Sequence, residues 1–250
     1  MQPTHSQPAL PISVLIPAFN EEALIARTIE HVQQSFAQVG HSAFEIVVCD
    51  NNSTDRTSQV AQSKGARVVF EPHNQISRAR NTAARHSLHD WLIFLDADTV
   101  LPAKLLRATI DTMNEGAVCG GGTIVAFDQP DIVNGALRVL YIWNRISQIA
   151  NVAAGSYIFC RRDAWSEIGG FNEDVYAGEE LFFSQKLKRW GKAHGLGFRI
   201  LTIPVLTSAR KLQWYSPWQL LCRTFALARP GSMKRRENCG LWYTRPDEGR

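Results

Sequence analysis

Four short apolar runs recur through the first part of the chain and alternate with stretches of helical periodicity. They are Ile12 to Ile16, Phe44 to Cys49, Arg67 to Phe70 and Trp91 to Leu95, and each is followed by a polar or proline-bearing cluster. They are rich in β-branched and aromatic residues and lack polar alternation. That pattern predicts strands buried on both faces, the condition of a parallel sheet. Between them, Glu21 to Val39 sets Leu24, Ile25, Ile29, Val32 and Phe36 on one helical stripe, and Thr54 to Lys64 and Ser77 to Leu88 are shorter helical candidates. Such alternation predicts a doubly wound, mainly parallel α/β sheet with helices on both faces. In these sheets the ligand lies outside the carboxyl ends of the strands, so the residues after each strand are the ones to read for chemistry.

Beyond Leu95 the expected order is a helix from Pro102 to Asn114 with proline in its first turn, a glycine-rich strand from Val118 to Phe127, and a helix from Ile132 to Ile149. A strand near Ser156 to Cys160, helices over Arg162 to Ile168 and Gly178 to Trp190, the latter ended by Gly191, and a strand near Arg199 to Ile203 follow. No repeat or linker interrupts this. The expectation is one domain over 11–207, a flexible N-terminus over 1–10 and an extension over 208–250. With 45% hydrophobic and 20% charged residues, the 250-residue chain has the composition of a globular protein rather than a disordered one. A net charge of +4 is too small to point to nucleic acid. From Ser208 onward, however, nine Lys/Arg against three Asp/Glu make the extension +6 and leave −2 elsewhere. A basic extension on a near-neutral body suits a phosphate-bearing partner or a membrane surface.

The five cysteines, Cys49, Cys119, Cys160, Cys222 and Cys239, are odd in number and lack C-x-x-C spacing. They read as buried thiols rather than disulfides or a zinc site. The start of the chain lacks the basic and apolar stretches of a signal peptide, and no run approaches the roughly 18 apolar residues of a membrane span. The expected location is cytoplasmic, with peripheral attachment at the inner membrane face left open.

Three strand ends carry polar clusters: Pro17-Ala18-Phe19-Asn20-Glu21-Glu22, Asp50-Asn51-Asn52-Ser53-Thr54-Asp55 and Asp96-Ala97-Asp98. A parallel sheet brings all three to one rim. Taken singly, Asn20 and Ser53 are explained as helix N-caps with acids in the first turn. The Asp96/Asp98 pair is not. Two carboxylates this close disfavour each other unless a cation or hydrogen-bond donors intervene. Carboxylate oxygens suit Mg²⁺ or Mn²⁺, and magnesium is commonly held by one or two carboxylates together with substrate phosphates.

These clusters, with Arg78-Ala79-Arg80-Asn81 and Gly169-Gly170-Phe171 through Gly178-Glu179-Glu180, resemble in order the motifs of family 2 glycosyltransferases of GT-A fold, from about Pro11 to Thr207. The resemblance implies an inverting, metal-dependent transfer of a sugar from a nucleotide-diphosphate donor, UDP- or GDP-linked, to a hydroxyl of a glycan or lipid-linked acceptor. It implies that Asp50 contacts the nucleotide base and that Pro17, Phe19 and Glu21 surround base and ribose. Arg78 and Arg80 would lie beside the nucleotide, Asp98 would ligate the metal, and Asp96 would contact ribose or a metal-bound water. Glu180 would be the general base, with Glu179 just before it. Asn51 and Asn52 stand where the family commonly has an acid and a glycine, which bears on base and ribose selectivity. Thr207-Ser208-Ala209-Arg210-Lys211 resembles a Ser-x-Arg-Lys stretch whose basic residues approach the diphosphate, which brings in Arg210; simple surface charge explains it equally well.

Gly120-Gly121-Gly122 lacks the Gly-Lys-Ser/Thr of a P-loop, and its glycines are expected to let sugar approach the backbone. Pro217 to Arg229 can form a helix with Trp218, Leu221, Cys222 and Phe225 on one stripe. It suits either packing on the body or an interfacial position near a lipid-linked acceptor. A nucleotidyltransferase could share the acidic metal site, but the Gly-rich first loop common in such enzymes is absent. A non-catalytic binding module would not need the Glu179-Glu180 pair.

Overall fold

A computed structural model describes residues 10–128, 144–145, 147–149, 152–208 and 232–239. The chain runs β1 (Ile12–Ala18), α1 (Ile25–Val39), β2 (Phe44–Asp50), α2 (Thr57–Ser63), β3 (Arg67–Phe70), α3 (Ile76–His86), β4 (Trp91–Leu95), β5 (Thr99–Val100), α4 (Ala103–Asn114) and β6 (Val118–Phe127). It continues through β7 (Tyr157–Arg161), α5 (Arg162–Glu167), α6 (Glu179–Ala193) and β8 (Gly197–Thr207), with two short 3-10 turns at Ser232–Lys234 and Arg236–Cys239. Eight strands form one sheet in the order β3-β2-β1-β4-β7-β6-β8-β5. β1 to β4 are mutually parallel, β7 runs antiparallel to both its neighbours, and β6 and β8 are again parallel.

Period-two alternation divides the core between the two faces. Val14, Ile16, Ile46 and Val48 face the layer that holds Ile25, Ile29, Val32 and Phe36 of α1 with Leu105 and Leu106 of α4. Leu15, Val47 and Cys49 face the other layer, where Ala79 and Ala83 of α3 and Phe183 and Leu187 of α6 pack. Burial on both faces is why the central runs carry no polar alternation. The exception is β3. Its four residues were expected to be buried, but it is an edge strand and Phe70 is 58% exposed.

Pro17 lies within β1, opposite Cys49, but pairing of β1 with β4 has ended at Leu15. The proline therefore sits where the ladder on the β4 side needs no further donor. α1 begins at Ile25, four residues later than expected, because Asn20 adopts a left-handed φ of 51° and the chain turns before coiling. Pro102 is at the N-cap of α4 rather than in its first turn. Gly191 does not end α6, which continues to Ala193. A Cβ at Gly191 would lie 2.6 Å from the Cys119 sulfur, so this glycine permits α6 to approach β6.

Close packing also explains Gly120-Gly121-Gly122, and it corrects the expectation that they face a sugar. Added Cβ atoms would lie 2.4 Å from the Phe159 carbonyl, 2.0 Å from the Arg199 carbonyl and 2.5 Å from Ala153 Cβ. All three are buried inside the sheet. Cys49, Cys119, Cys160 and Cys239 are buried free thiols; Cys222 lies outside the described residues, as does most of the helix expected over 132–149. Among the described residues, no helix is long and apolar enough to cross a membrane.

Candidate active site

β1 is flanked by β2 on one side and β4 on the other, so the chain reverses its direction of sheet growth between β1 and β4. That is the topological switch point, where parallel sheets open a crevice at the strand carboxyl ends. The Phe19–Glu22 loop, the Asp50–Asp55 loop and Asp96-Ala97-Asp98 all lie on this rim.

The first two loops are laced together. Asn20 Oδ1 accepts from the Thr54 backbone N–H at 2.8 Å, and the Asn20 N–H donates to Ser53 Oγ at 3.0 Å. The Glu21 N–H donates to Thr57 Oγ1 at 2.8 Å. Asn20 and Ser53, each expected when taken singly to be a helix N-cap, do not cap their own helices; α1 and α2 begin without a side-chain cap. Asp50 is buried at the end of β2. Its Oδ1 accepts from the Ser53 N–H at 3.0 Å and its Oδ2 from Ser58 Oγ at 2.7 Å. Each oxygen retains a second lone pair for a ligand donor. Asn52 has a left-handed φ of 64° and its side chain donates to Asn74. Pro17 and Glu21 are buried, whereas Phe19 keeps partial exposure.

The acidic pair after β4 is held from three sides. Thr28 Oγ1 of α1 donates to the Ala97 carbonyl at 2.7 Å, and the Ser208 N–H at the end of β8 donates to the Asp98 carbonyl at 3.2 Å. Ser208, the first residue of the Ser-Ala-Arg-Lys stretch, is thus bonded to Asp98, and Arg210 lies outside the described residues. The third hold is Arg80.

Arg80 was expected beside the nucleotide. Instead it is 2% exposed and lies beneath the rim. Its Nη2 donates to Asp96 Oδ1 at 3.0 Å and to the Gly155 carbonyl at 2.9 Å, and its Nη1 donates to Glu179 Oε1 at 2.8 Å. Its guanidinium lies 5.2 Å from the centroid of the Phe171 ring. Burial disfavours its charge, but the carboxylates of Asp96, Glu179 and Glu180 more than offset this and hold its pKa above the ordinary value. The donors that relieve repulsion at Asp96 therefore come partly from within the protein. Arg80→Met would leave Asp96 and Glu179 without their counter-charge, and stability should fall by about 3–5 kcal/mol in urea unfolding. A loss below about 1 kcal/mol, the scale of an exposed pair, would contradict this role.

Glu179 and Glu180 open α6 but differ in setting. Glu179 is 5% exposed and engaged with Arg80; burial pushes its carboxyl pKa up against the pull of that arginine. Glu180 keeps partial exposure. Its carboxyl carbon would lie 3.8 Å from a Cβ on Gly155, beside Arg80 Nη2. Burial, and then the negative charge of Glu179, push its pKa up to about 8. Arg78 turns away, pairing with Glu173 at 3.2 Å and donating to Gln75.

Two residues missed in the sequence organise the loop before α6. Asn81, present in a recognised motif but given no role, accepts from the Phe171 N–H and donates to the Phe171 carbonyl and Glu173. Gln75 donates to the carbonyls of Glu173 and Val175. Gly170, at a left-handed φ of 64°, leaves room for Asn81; a Cβ there would meet its Oδ1 at 2.4 Å. No group of three or more His, Cys, Asp or Glu suited to a metal occurs among the described residues. Asp96 and Asp98 nevertheless fit a hard cation held by one or two carboxylates, with the remaining oxygens from diphosphate and water. Both keep partial exposure at the rim.

Residues 13–169 match the model of glycosyl transferase family 2. Glycosyltransferase AglE of Haloferax volcanii is 27% identical over 187 residues, covering 70% of this chain and 60% of that protein. The chain thus spans less than two thirds of that relative. The mannosyltransferase PcManGT of Pyrobaculum calidifontis, solved with GDP-Man and Mn²⁺, superposes with a TM-score of 0.60 at 20% identity, over 85% of this chain and 59% of that one. Glucosyl-3-phosphoglycerate synthase of Mycobacterium tuberculosis, solved with Mn²⁺, UDP and phosphoglyceric acid, superposes with a TM-score of 0.57 at 19% identity, over 96% and 81%. At these identities the two structures establish the shared GT-A fold.

Proposed function

The chain belongs to glycosyl transferase family 2, and from that premise we propose that it transfers a sugar from a UDP- or GDP-linked donor to an acceptor hydroxyl with inversion, using a divalent cation. The carrying observation is one rim that gathers Asp50, Asp96 and Asp98 at strand ends and, through Arg80, joins them to the acidic start of α6. The donor lies at the switch point in this reading. Pro17, Phe19, Glu21, Asp50 and Asn52 border base and ribose, Asp96 meets the ribose or a metal-bound water, and Arg78 and Arg210 are the basic residues that the family resemblance offers to the nucleotide and its diphosphate. Asp98 and Asp96 would hold Mg²⁺ or Mn²⁺. When bound, the cation would neutralise charge gathering on the diphosphate leaving group. The two solved relatives with Mn²⁺ and a GDP-sugar or UDP support that choice.

Glu180 is the general base. Its carboxylate takes the acceptor proton as the acceptor oxygen bonds to the anomeric carbon and the bond to the diphosphate breaks, its electron pair leaving with the nucleotide. Direct displacement with inversion needs one such base and no covalent sugar–enzyme intermediate. Glu179, buried beside it and bonded to Arg80, helps to raise the Glu180 pKa and so strengthens that base. A glycan or a lipid-linked sugar supplies the hydroxyl.

The test is product analysis. UDP- and GDP-sugars incubated with Mn²⁺ and an acceptor panel should release nucleoside diphosphate, and proton NMR should give a product of anomeric configuration opposite to the donor. A product of retained configuration would overturn the single-base mechanism. Pyrophosphate released from UTP or CTP would instead favour a nucleotidyltransferase.

A further inference from the structure

The segment Ser232–Cys239 of the C-terminal extension returns to the loop that enters α6. Its two 3-10 turns are closed by bonds from the Arg235 N–H to the Ser232 carbonyl and from the Asn238 N–H to the Arg235 carbonyl, both 3.1 Å. Ser232 and Cys239 are buried, whereas Lys234, Arg235, Arg236, Glu237 and Asn238 are exposed. Met233 makes the junction. Its carbonyl accepts from the Tyr176 N–H at 2.7 Å. Its sulfur lies 3.2 Å, and its methyl carbon 3.6 Å, from where a Cβ on Gly178 would be. Gly178 has a left-handed φ of 71°, is the N-cap of α6 and immediately precedes Glu179. Burial, and then the charge of Glu179, push the Cys239 thiol pKa up.

α6 starts without a side-chain cap, so its first turn is positioned by the Arg80–Glu179 ion pair and by what holds the loop before it. On one side Asn81 and Gln75 hold the preceding loop at Phe171, Glu173 and Val175. Tyr176 to Gly178, the last link before the acids, meets Met233. We infer that the extension is a working part of the site: Met233 is a positioning residue that clips Tyr176–Gly178 and so fixes Glu180 against the donor. This deepens the transferase reading and rests on Glu180 acting as its base.

The test compares full-length wild type with Met233→Ala and Met233→Leu. A shift of about 1 Å in a catalytic group can cost on the order of a hundredfold in rate. For Met233→Ala, kcat for Mn²⁺-dependent nucleoside diphosphate release should fall roughly ten- to a hundredfold, while affinity for UDP or GDP with Mn²⁺ stays within about twofold. Hydrogen exchange should quicken over Tyr176–Phe183 and not in the Asp50 or Asp98 loops. Met233→Leu, of similar volume, should restore most of the rate. Unchanged kcat, unchanged exchange over Tyr176–Phe183, or loss of nucleotide affinity in step with kcat would each overturn the clip. If Met233→Ala does not fold, Met233→Val, which removes less volume, is read in the same way. A wild-type chain that releases no nucleoside diphosphate from any sugar nucleotide defeats the transferase reading, whereas an active wild type with an unaffected Met233→Ala defeats only the clip.

Discussion

Replacing Glu180 with glutamine is expected to lower kcat by roughly 10²–10⁴-fold while leaving nucleotide affinity nearly intact, as loss of a general base does. The amide matches the carboxylate in shape but cannot take the acceptor proton. Glu179→Gln should behave differently. Glu179 is buried and bonded to Arg80, so its loss should lower stability and weaken the base beside it rather than remove a proton acceptor. The pH dependence has a definite sign. With the Glu180 pKa raised to about 8, chiefly by burial and then by Glu179, the basic form accumulates only as pH rises through that value. Turnover of the wild type should therefore climb through pH 8 and flatten above it. Arg80 opposes the shift and Asp96 adds to it, so Glu179→Gln, which removes the neighbouring negative charge, should move the limb to lower pH. Because the folded chain holds this proton after the unfolded carboxyl has released it, Glu180 should also contribute stability at low pH that is lost as pH rises through about 8. Normal turnover in Glu180→Gln, or death of Glu179→Gln alone, would assign the base elsewhere.

The second large effect is expected at the metal. Asp98→Asn should lower divalent-dependent turnover by about two to four orders of magnitude, because charge accumulating on the leaving diphosphate would lose its counter-ion. The backbone of Asp98, which bonds Ser208, is unaffected by the change, so circular dichroism and melting should remain close to wild type. Asp96→Asn is predicted to do more harm to stability, since Asp96 shares Arg80 with Glu179. An Asp98→Asn enzyme with normal turnover and normal Mn²⁺ dependence would remove Asp98 from the metal site.

What the sequence disclosed, and what it did not, follows from the range of each interaction. The central strands were legible because burial on both faces writes an unbroken apolar run, as in Val47–Cys49 and in Ile93–Leu95. The shared rim followed from their parallel direction. β3 misled because four apolar-looking residues read alike at an edge and in a core. Gly120–Gly122 misled because a glycine reports the need for space without saying what fills it, and here strands and Ala153 do. The partners of Arg80 were beyond reach for a different reason. An arginine in a motif states a charge, whereas its burial between Asp96 and Glu179 depends on α3, β4 and α6 converging across 99 residues of chain. The lacing of Asn20 with Thr54, at a separation of 34 residues, was hidden behind a plausible local cap. The return of Met233 to Tyr176 had no periodic or compositional signal at all.

The strand-end rim is expected to hold a nucleoside diphosphate together with a divalent cation. Thermal stabilisation measures this directly, because a ligand that binds only the folded state raises the melting temperature. With Mn²⁺, UDP or GDP should stabilise the wild type clearly more than UTP or CTP does. Removing the cation, or introducing Asp98→Asn, should abolish most of the shift. Equal stabilisation with and without Mn²⁺, or no stabilisation by any nucleoside diphosphate, would contradict the account.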